Sequence, residues 1–159
     1  MVCENIIGKL SDKKFEGLNV QYVDIEWHET FKKIHLKTLE NGEEVGIKLD
    51  NDILKKGIKK NDVIYADENR VIAVNIPDFD VIYIKVDDNH KHMIAKVCYE
   101  IGNRHASLFY GENENEFITP YTAPLFEMLE KLHGVKCTKK HMCPDFEKSI
   151  SATINNHTH

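Results

Sequence analysis

The stretch HMIAKVCYEIGNRH, residues 92–105, determines how the second half of the chain is expected to fold. Its apolar residues recur at helical spacing and share one face of a helix: Met93, Ile94, Val97, Cys98 and Ile101. Gly102 is expected to end this helix in the left-handed conformation that glycine adopts without strain. Residues 106–110 are typical of a strand, so His105 lies at a junction between helix and strand. An imidazole held there suits a metal site or a general base; capping, pairing and exposure to water are the alternatives.

The elements on either side of this stretch predict a ferredoxin-like order, β-α-β-β-α-β. They follow as a strand at 79–86, a helix capped by Asp87, Asp88 or Asn89 that runs to about Ile101, strands at 106–110 and 114–119, a helix from Thr119-Pro120 to Gly134, and a last strand from Val135. Beyond the last strand the chain turns polar, which predicts a flexible tail that contains histidines. The predicted fold of this half is therefore a compact ferredoxin-like domain over residues 77–143, followed by a tail over 144–159.

The first half of the chain is predicted to be all β. Short apolar or alternating runs lie at 20–27, 31–39, 45–49, 63–66 and 71–76, and Asn41-Gly42 is typical of a hairpin turn. Such strands with regular turns favour a small barrel or sandwich over residues 1–76, which makes the whole chain α+β. In the run 31–39, Ile34 and Leu36 share one face, whereas His35 lies on the polar face and is expected to be exposed.

Composition excludes several classes of protein. The chain has 159 residues, of which 42% are hydrophobic and 30% charged, as in a soluble globular protein. A net charge of -5 argues against nucleic acid as a partner, and no apolar run approaches the ~20 residues of a membrane span. No signal peptide is evident, and the four cysteines do not suggest a disulfide framework. We therefore expect a reduced, cytoplasmic protein.

Histidine is the unusual residue, with nine copies in the chain. Seven of them lie from residue 90 onward: His90, His92, His105, His133, His141, His157 and His159. His157 and His159 form an H-x-H pair that can chelate a metal when extended, or that belongs to a solvated end. His90 and His92 are expected to point to different sides of a helix and to face water, and His133 carries no specific signal.

The remaining reactive residues allow two further interpretations, a cysteine-containing metal site and a catalytic site. Cys137, His141 and Cys143 supply three donor atoms for a metal, but they lack the paired C-x-x-C spacing of structural zinc sites. Phosphate-binding loops and the G-x-S-x-G motif are absent, and no carboxylate stands out as a catalytic base. The sequence therefore nominates no catalytic residue, and we expect a protein that is not an enzyme.

Four segments together resemble the urease accessory protein UreE family, which consists of nickel chaperones. They are YEIGNRH at 99–105, FEML at 126–129, YVDIEW at 22–27 and VIAVNI at 71–76, and the likeness covers most of residues 1–136. The resemblance implies a homodimer with an N-terminal β domain that engages protein partners and a C-terminal metal-binding domain. It also implies that the interface metal histidine is His105 and that His157 and His159 are the matching C-terminal ligands.

The resemblance implies a function in urease maturation. The expected role is a nickel-binding metallochaperone that delivers Ni(II) to apo-urease together with the accessory GTPase. Zn(II) and Cu(II) suit the same imidazoles, so both are expected to compete for the site. Residues 117–121 lack the H-x-H pair of some family members, and the tail is no long polyhistidine run, so storage of many ions is not expected.

Three alternatives stay open at this stage. One is a protein-interaction adaptor whose metal binding is incidental, and another is a small metalloenzyme with a catalytic carboxylate beside His105. The third is a pair of dimers joined through one metal ion. The sequence alone does not decide between these alternatives, nor whether Cys137, His141 and Cys143 bind metal.

Overall fold

The computed structural model describes residues 1–150 of the chain and separates into two compact units. The N-terminal unit comprises Met1–Pro77, and the C-terminal unit begins at Asp78. The first is rich in β-sheet, and the second combines helices with a sheet, which confirms the predicted α+β class.

The N-terminal unit consists of two separate sheets. Its elements are β1 Val2–Cys3, β2 Gly8–Lys9, β3 Asn19–Asp24, β4 Ile34–Thr38, β5 Glu44–Lys48, the short helix α1 Ile53–Lys56, β6 Asp62–Ala66 and β7 Arg70–Asn75. One sheet has the order β1-β5-β4 and the other β2-β6-β7-β3, and they do not close into a barrel within residues 1–77. The predicted hairpin at Asn41-Gly42 is confirmed: β4 and β5 are antiparallel, and Gly42 donates to the Leu39 carbonyl at 2.9 Å with a φ of 84°.

The prediction for the faces of β4 is wrong. His35 is only 5% exposed and its Nε2 lies 2.9 Å from the Lys32 carbonyl oxygen, whereas Ile34 and Leu36 are 69% and 73% exposed. His35 is the cross-strand partner of Ile47, which belongs to the core. Alternation along a strand separates its two faces but does not say which face meets the core. The apolar face of β4 is therefore the outer one.

The C-terminal unit has the predicted ferredoxin-like topology. Its elements are β8 Phe79–Val86, α2 Met93–Asn103, β9 Phe109–Tyr110, β10 Glu116–Pro120, α3 Ala123–Glu130 and β11 Val135–Met142. The sheet order is β11-β8-β10-β9, and every neighbouring pair is antiparallel. One face of α2 packs on this sheet through the fully buried Val97 and Ile101. Within residues 1–150 no helix is long and apolar enough to cross a membrane.

The second helix of this unit begins later than predicted. Thr119 and Pro120 belong to β10, where the Thr119 hydroxyl donates to the Ser107 carbonyl at 2.8 Å. The helix α3 starts at Ala123 after Thr122, with Pro124 in its first turn. Both prolines fit a helix start by sequence, since a first turn needs no N–H at that position. The side chains of β10 are buried, and the strand therefore continues through Pro120 instead of ending before it.

The beginning of the predicted flexible tail is folded. Residues Phe146–Lys148 form a 3₁₀ turn, and the Phe146 ring meets that of Phe109 edge to face with centroids 5.3 Å apart. The Ile150 amide donates to the Leu108 carbonyl at 2.8 Å. This stretch therefore packs beside β9, and residues 151–159, with His157 and His159, lie outside the described residues.

We expect a His35→Gln variant to lose less stability on acidification than the wild type. Burial lowers the pKa of His35, so below about pH 6.5 the unfolded chain takes up a proton that the folded chain resists. This group's contribution to stability is full above the unfolded pKa and falls as the pH drops towards the depressed folded pKa. Thermal unfolding midpoints at pH 7.5 and 5.5 measure the difference, and His28→Gln, at an exposed histidine, is the control. Equal pH dependence in His35→Gln and wild type would contradict the expectation.

Candidate metal centre

His105 itself forms the end of α2. It has a φ of 56°, its amide donates to the Gly102 carbonyl at 2.9 Å, and the Ala106 amide donates to the Ile101 carbonyl at 3.3 Å. These two bonds define a Schellman end with His105 at the left-handed position. The predicted end at Gly102 is wrong, because Gly102 lies inside α2 and has no positive φ.

Packing explains why the helix ends at His105. The Schellman motif brings together the side chains on either side of its turn, here Ile101 and Ala106, and both pack into the core of the unit. A left-handed conformation costs a non-glycine residue about 1–2 kcal/mol. The burial of Ile101 and Ala106 offsets that cost. Backbone strain at a candidate functional residue is a common feature of binding sites.

The backbone on the far side of His105 is also held. The predicted strand at 106–110 is shorter than expected, since β9 begins only at Phe109. The segment in between is fixed by the buried Leu108 and by the bond from Thr119 to the Ser107 carbonyl. His105 is exposed, so its imidazole is presented to the surroundings from a rigid backbone.

The charge beside His105 is compensated. Arg104 Nη1 donates to Glu100 Oε2 at 2.7 Å and to the Glu100 carbonyl at 3.0 Å. An uncompensated guanidinium next to the imidazole would repel a metal cation. The ion pair with Glu100 reduces that repulsion and keeps Arg104 along the helix.

A metal ion at His105 needs further ligands. Within residues 1–150, no group of three or more His, Cys, Asp or Glu side chains is arranged to hold a metal ion. One imidazole alone binds a metal weakly. A site with three or more such side chains at His105 therefore needs a residue from 151–159, from a second copy of the chain or from a partner.

The cysteine cluster is not assembled as a site. Cys137 and His141 are four residues apart on the extended β11, about 13 Å along the strand. Cys137 packs against the core and burial raises its pKa to about 11, so its metal-binding thiolate is disfavoured. His141 Nδ1 instead lies 3.0 Å from Asp80 Oδ1, and this hydrogen bond lowers the pKa of Asp80.

Three histidines that the sequence pattern does not predict to be neighbours form a group. His90 lies in the 3₁₀ turn Asp88–His90 rather than on α2, and it is partly buried instead of facing water. Its ring centroid is 4.5 Å from that of His133 and 6.1 Å from that of His92. The predicted topology could have revealed this group. Antiparallel pairing of β8 with β11 places the residues that follow β8, including His90, beside those that precede β11, including His133.

The fold and His105 define a class: a two-domain α+β protein that presents an exposed imidazole at the end of a ferredoxin-like helix. Two family models match the chain, the UreE urease accessory protein N-terminal domain over residues 3–77 and the C-terminal domain over residues 80–159. The chain belongs to this family, whose members are accessory proteins rather than enzymes.

Curated relatives agree with the family models. The chain is 44% identical over 132 residues to the urease accessory protein UreE of Helicobacter pylori strain P12, covering 83% of this chain and 76% of that protein. The UreE of Helicobacter acinonychis is 42% identical over the same shares. The UreE of Acetivibrio thermocellus is 40% identical over 131 residues, 82% of this chain and 81% of that protein.

We expect His105→Gly to be more stable than His105→Ala by about 1 kcal/mol. Glycine relieves the left-handed strain at this position, and alanine does not. The free energy of unfolding in urea, measured without metal, gives the comparison. Gly102→Ala is the matched control, because a Cβ there meets open space and should leave stability unchanged or raise it. If His105→Gly proves no more stable than His105→Ala, the Schellman assignment is wrong.

Proposed function

We propose that this protein is a cytoplasmic nickel-binding metallochaperone that delivers Ni(II) to apo-urease through His105 at a homodimer interface. One observation carries the proposal: in a member of the UreE family, His105 is exposed and held by the strained end of α2. An exposed imidazole on a well-held backbone suits a metal ligand. The family membership supplies the urease context.

A homodimer supplies the ligand that a single chain lacks. A two-fold interface brings the same residue of both chains together when that residue lies at the axis, so His105 placed there would supply two imidazoles. Imidazole nitrogen suits nickel, copper and zinc, and intrinsic affinity ranks copper highest. Selectivity for nickel then depends on coordination geometry and on the receiving partner. Two imidazoles leave coordination positions open, which favours release.

The position of residue 150 supports the tail histidines as further ligands. The Ile150 amide is bonded to the carbonyl of Leu108, three residues from His105. His157 follows Ile150 by seven residues, a connection that spans at most about 25 Å. His157 and His159 of the same chain are therefore within reach of an ion at His105.

An exposed apolar row supports partner binding by the N-terminal unit. Leu36 of β4 and Val2 of β1 are both cross-strand partners of Gly46, which has no side chain to separate them. Val2, Ile34 and Leu36 are each more than two-thirds exposed. Contiguous exposed apolar surface is typical of interaction sites. The accessory GTPase and the apo-urease complex are the proposed partners.

The same row favours a second candidate function. An adaptor in the maturation complex would use this apolar surface and would bind metal only incidentally. Its affinity for nickel would be no better than that of an isolated tail peptide. Nickel binding by the intact dimer therefore distinguishes the chaperone from the adaptor.

We expect wild-type protein to bind about one Ni(II) per dimer tightly and His105→Ala to lose this binding. Calorimetric titration with nickel, with the mass in solution determined for each protein, measures both quantities. Affinity should weaken as the solution is acidified, because protonated imidazole cannot bind metal. His28→Ala, at an exposed histidine of the other unit, is the control.

Delivery is tested with the loaded proteins. Nickel-loaded wild type should activate apo-urease in the presence of the accessory GTPase, and His105→Ala should not. The chaperone proposal fails if His105→Ala binds and delivers nickel as wild type does. If His105→Ala binds nickel as wild type does and neither protein activates apo-urease, the adaptor is the better description.

We expect the double variant His157→Ala/His159→Ala to bind nickel more weakly but at unchanged stoichiometry. The tail completes the coordination shell, whereas His105 creates the site. The same calorimetric titration measures the change, and the peptide of residues 151–159 gives the affinity of the tail alone. Loss of all binding in the double variant would mean that the ion is held by the tail and not by His105.

A further inference from the structure

Three histidines form a group at the start of α2, at the opposite end of the helix from His105. We call His90, His92 and His133 the second histidine group. The helix has 11 residues, so about 16 Å separates its two ends. The group is therefore distinct from a site at His105 and does not include any residue of the tail.

Ring spacing within the group is compatible with a shared metal ion. A nitrogen–metal bond of about 2.1 Å puts the ion about 3.2 Å from an imidazole centre, so two imidazoles on one ion have centres about 4.5 to 6.4 Å apart. The His90–His133 and His90–His92 centroids are 4.5 and 6.1 Å apart. Side-chain rotation is still required, because the rings of His90 and His133 meet at 84° and no three donor groups in residues 1–150 already converge.

The inner nitrogen of His90 is arranged as in a metal-bound histidine. His90 Nδ1 is buried and has no hydrogen-bond partner among the described residues, and the nearest carboxylate oxygen given for it, Asp87 Oδ1, is 3.7 Å away. A metal-ligating histidine usually binds through one nitrogen and directs the other N–H at a carboxylate or carbonyl. Asp87 therefore suits the role of orienting group, with His90 Nε2 as the ligand atom.

The backbone holds the two segments in register. The Asp87 amide donates to the Gly134 carbonyl at 2.8 Å. A Cβ on Gly134 would lie 2.6 Å from the His90 ring, so only glycine admits the ring at this distance. His90 and the neighbouring His133 are thus kept side by side by the pairing of β8 with β11.

Charge around the group also permits a cation. The start of a helix carries a partial positive charge that disfavours a metal ion. Asp87 and Asp88, both exposed, precede α2 and offset that charge, and Lys91 is the cation between the histidines in sequence. The carboxylates outnumber the lysine on this short segment.

We propose that His90 and His133, joined by His92 when the side chains rotate, form a second site that takes Zn(II). This site is complete within one chain, so it binds one ion per chain. It goes beyond the proposed chaperone function and does not depend on His105.

The test uses the full-length chain with the first site removed. In the variant His105→Ala/His157→Ala/His159→Ala, dialysis against Zn(II) alone should leave about one ion per chain, counted by elemental analysis. Adding His90→Gln and His133→Gln should lower Zn(II) affinity at least tenfold. His28→Gln or His141→Gln in the same background should leave it unchanged. No Zn(II) in the background variant, or Zn(II) retained after the two added substitutions, would overturn the proposal.

A chemical footprint covers the case in which the added substitutions disturb folding. Zn(II) should protect His90 and His133 of the unsubstituted chain from carbethoxylation by diethylpyrocarbonate, as mapped by peptide mass, and should leave His28 reactive. Equal modification of His90 and His133 with and without Zn(II) would overturn the proposal. Failure of nickel delivery by His105 has no bearing on either result, so the two proposals fail independently.

Discussion

Packing of α2 on the sheet is the constraint on which the C-terminal unit depends. Val97 and Ile101 are fully buried in the same cluster as Ile82 and Ile84 of β8. Burying such a side chain is worth about 1.5–3 kcal/mol, and packing of this kind, rather than helix propensity, supplies most of the stability of a helix in a folded protein. This contact holds the C-terminal half of α2 on the sheet. Ile101 in turn places the strained residue that follows it, so the geometry of the candidate metal centre derives from an apolar contact.

Much of the fold was predictable because local patterns encode it. Helical spacing marked the buried face of α2, Asn41-Gly42 marked a hairpin, and the order of elements gave the ferredoxin-like topology. Two features were not predictable in this way. The inward face of β4 depends on which side the rest of the unit covers, so His35 was misplaced. The end of α2 depends on burial of side chains that flank the turn, which outweighed the local preference of Gly102.

The candidate metal centre, too, was predictable only in part. His105 was singled out by its position between a helix and a strand, and the resemblance to a family gave it a metal-binding role. Its exposure agrees with a binding role. Its left-handed conformation has only a weak local signal, because non-glycine residues seldom adopt it, although histidine does so more often than most, and the nearby Gly102 is the stronger candidate by sequence. The second histidine group was missed because His90 and His133 are distant in the sequence and meet only through strand pairing. Patterns within single helices and strands do not show contacts between distant segments. The predicted ferredoxin-like topology was nevertheless sufficient to place His90 near His133.

The bond between Ile150 and Leu108 has a kinetic consequence. It fixes the described end of the chain at Leu108, three residues from His105. If His157 and His159 are ligands as proposed, a connection this short gives them an effective concentration on the order of millimolar at the end of α2. Ligands held in this way would leave and return one at a time without the ion escaping. A receiving protein would then replace them stepwise, so transfer by ligand exchange would need no free metal ion in solution.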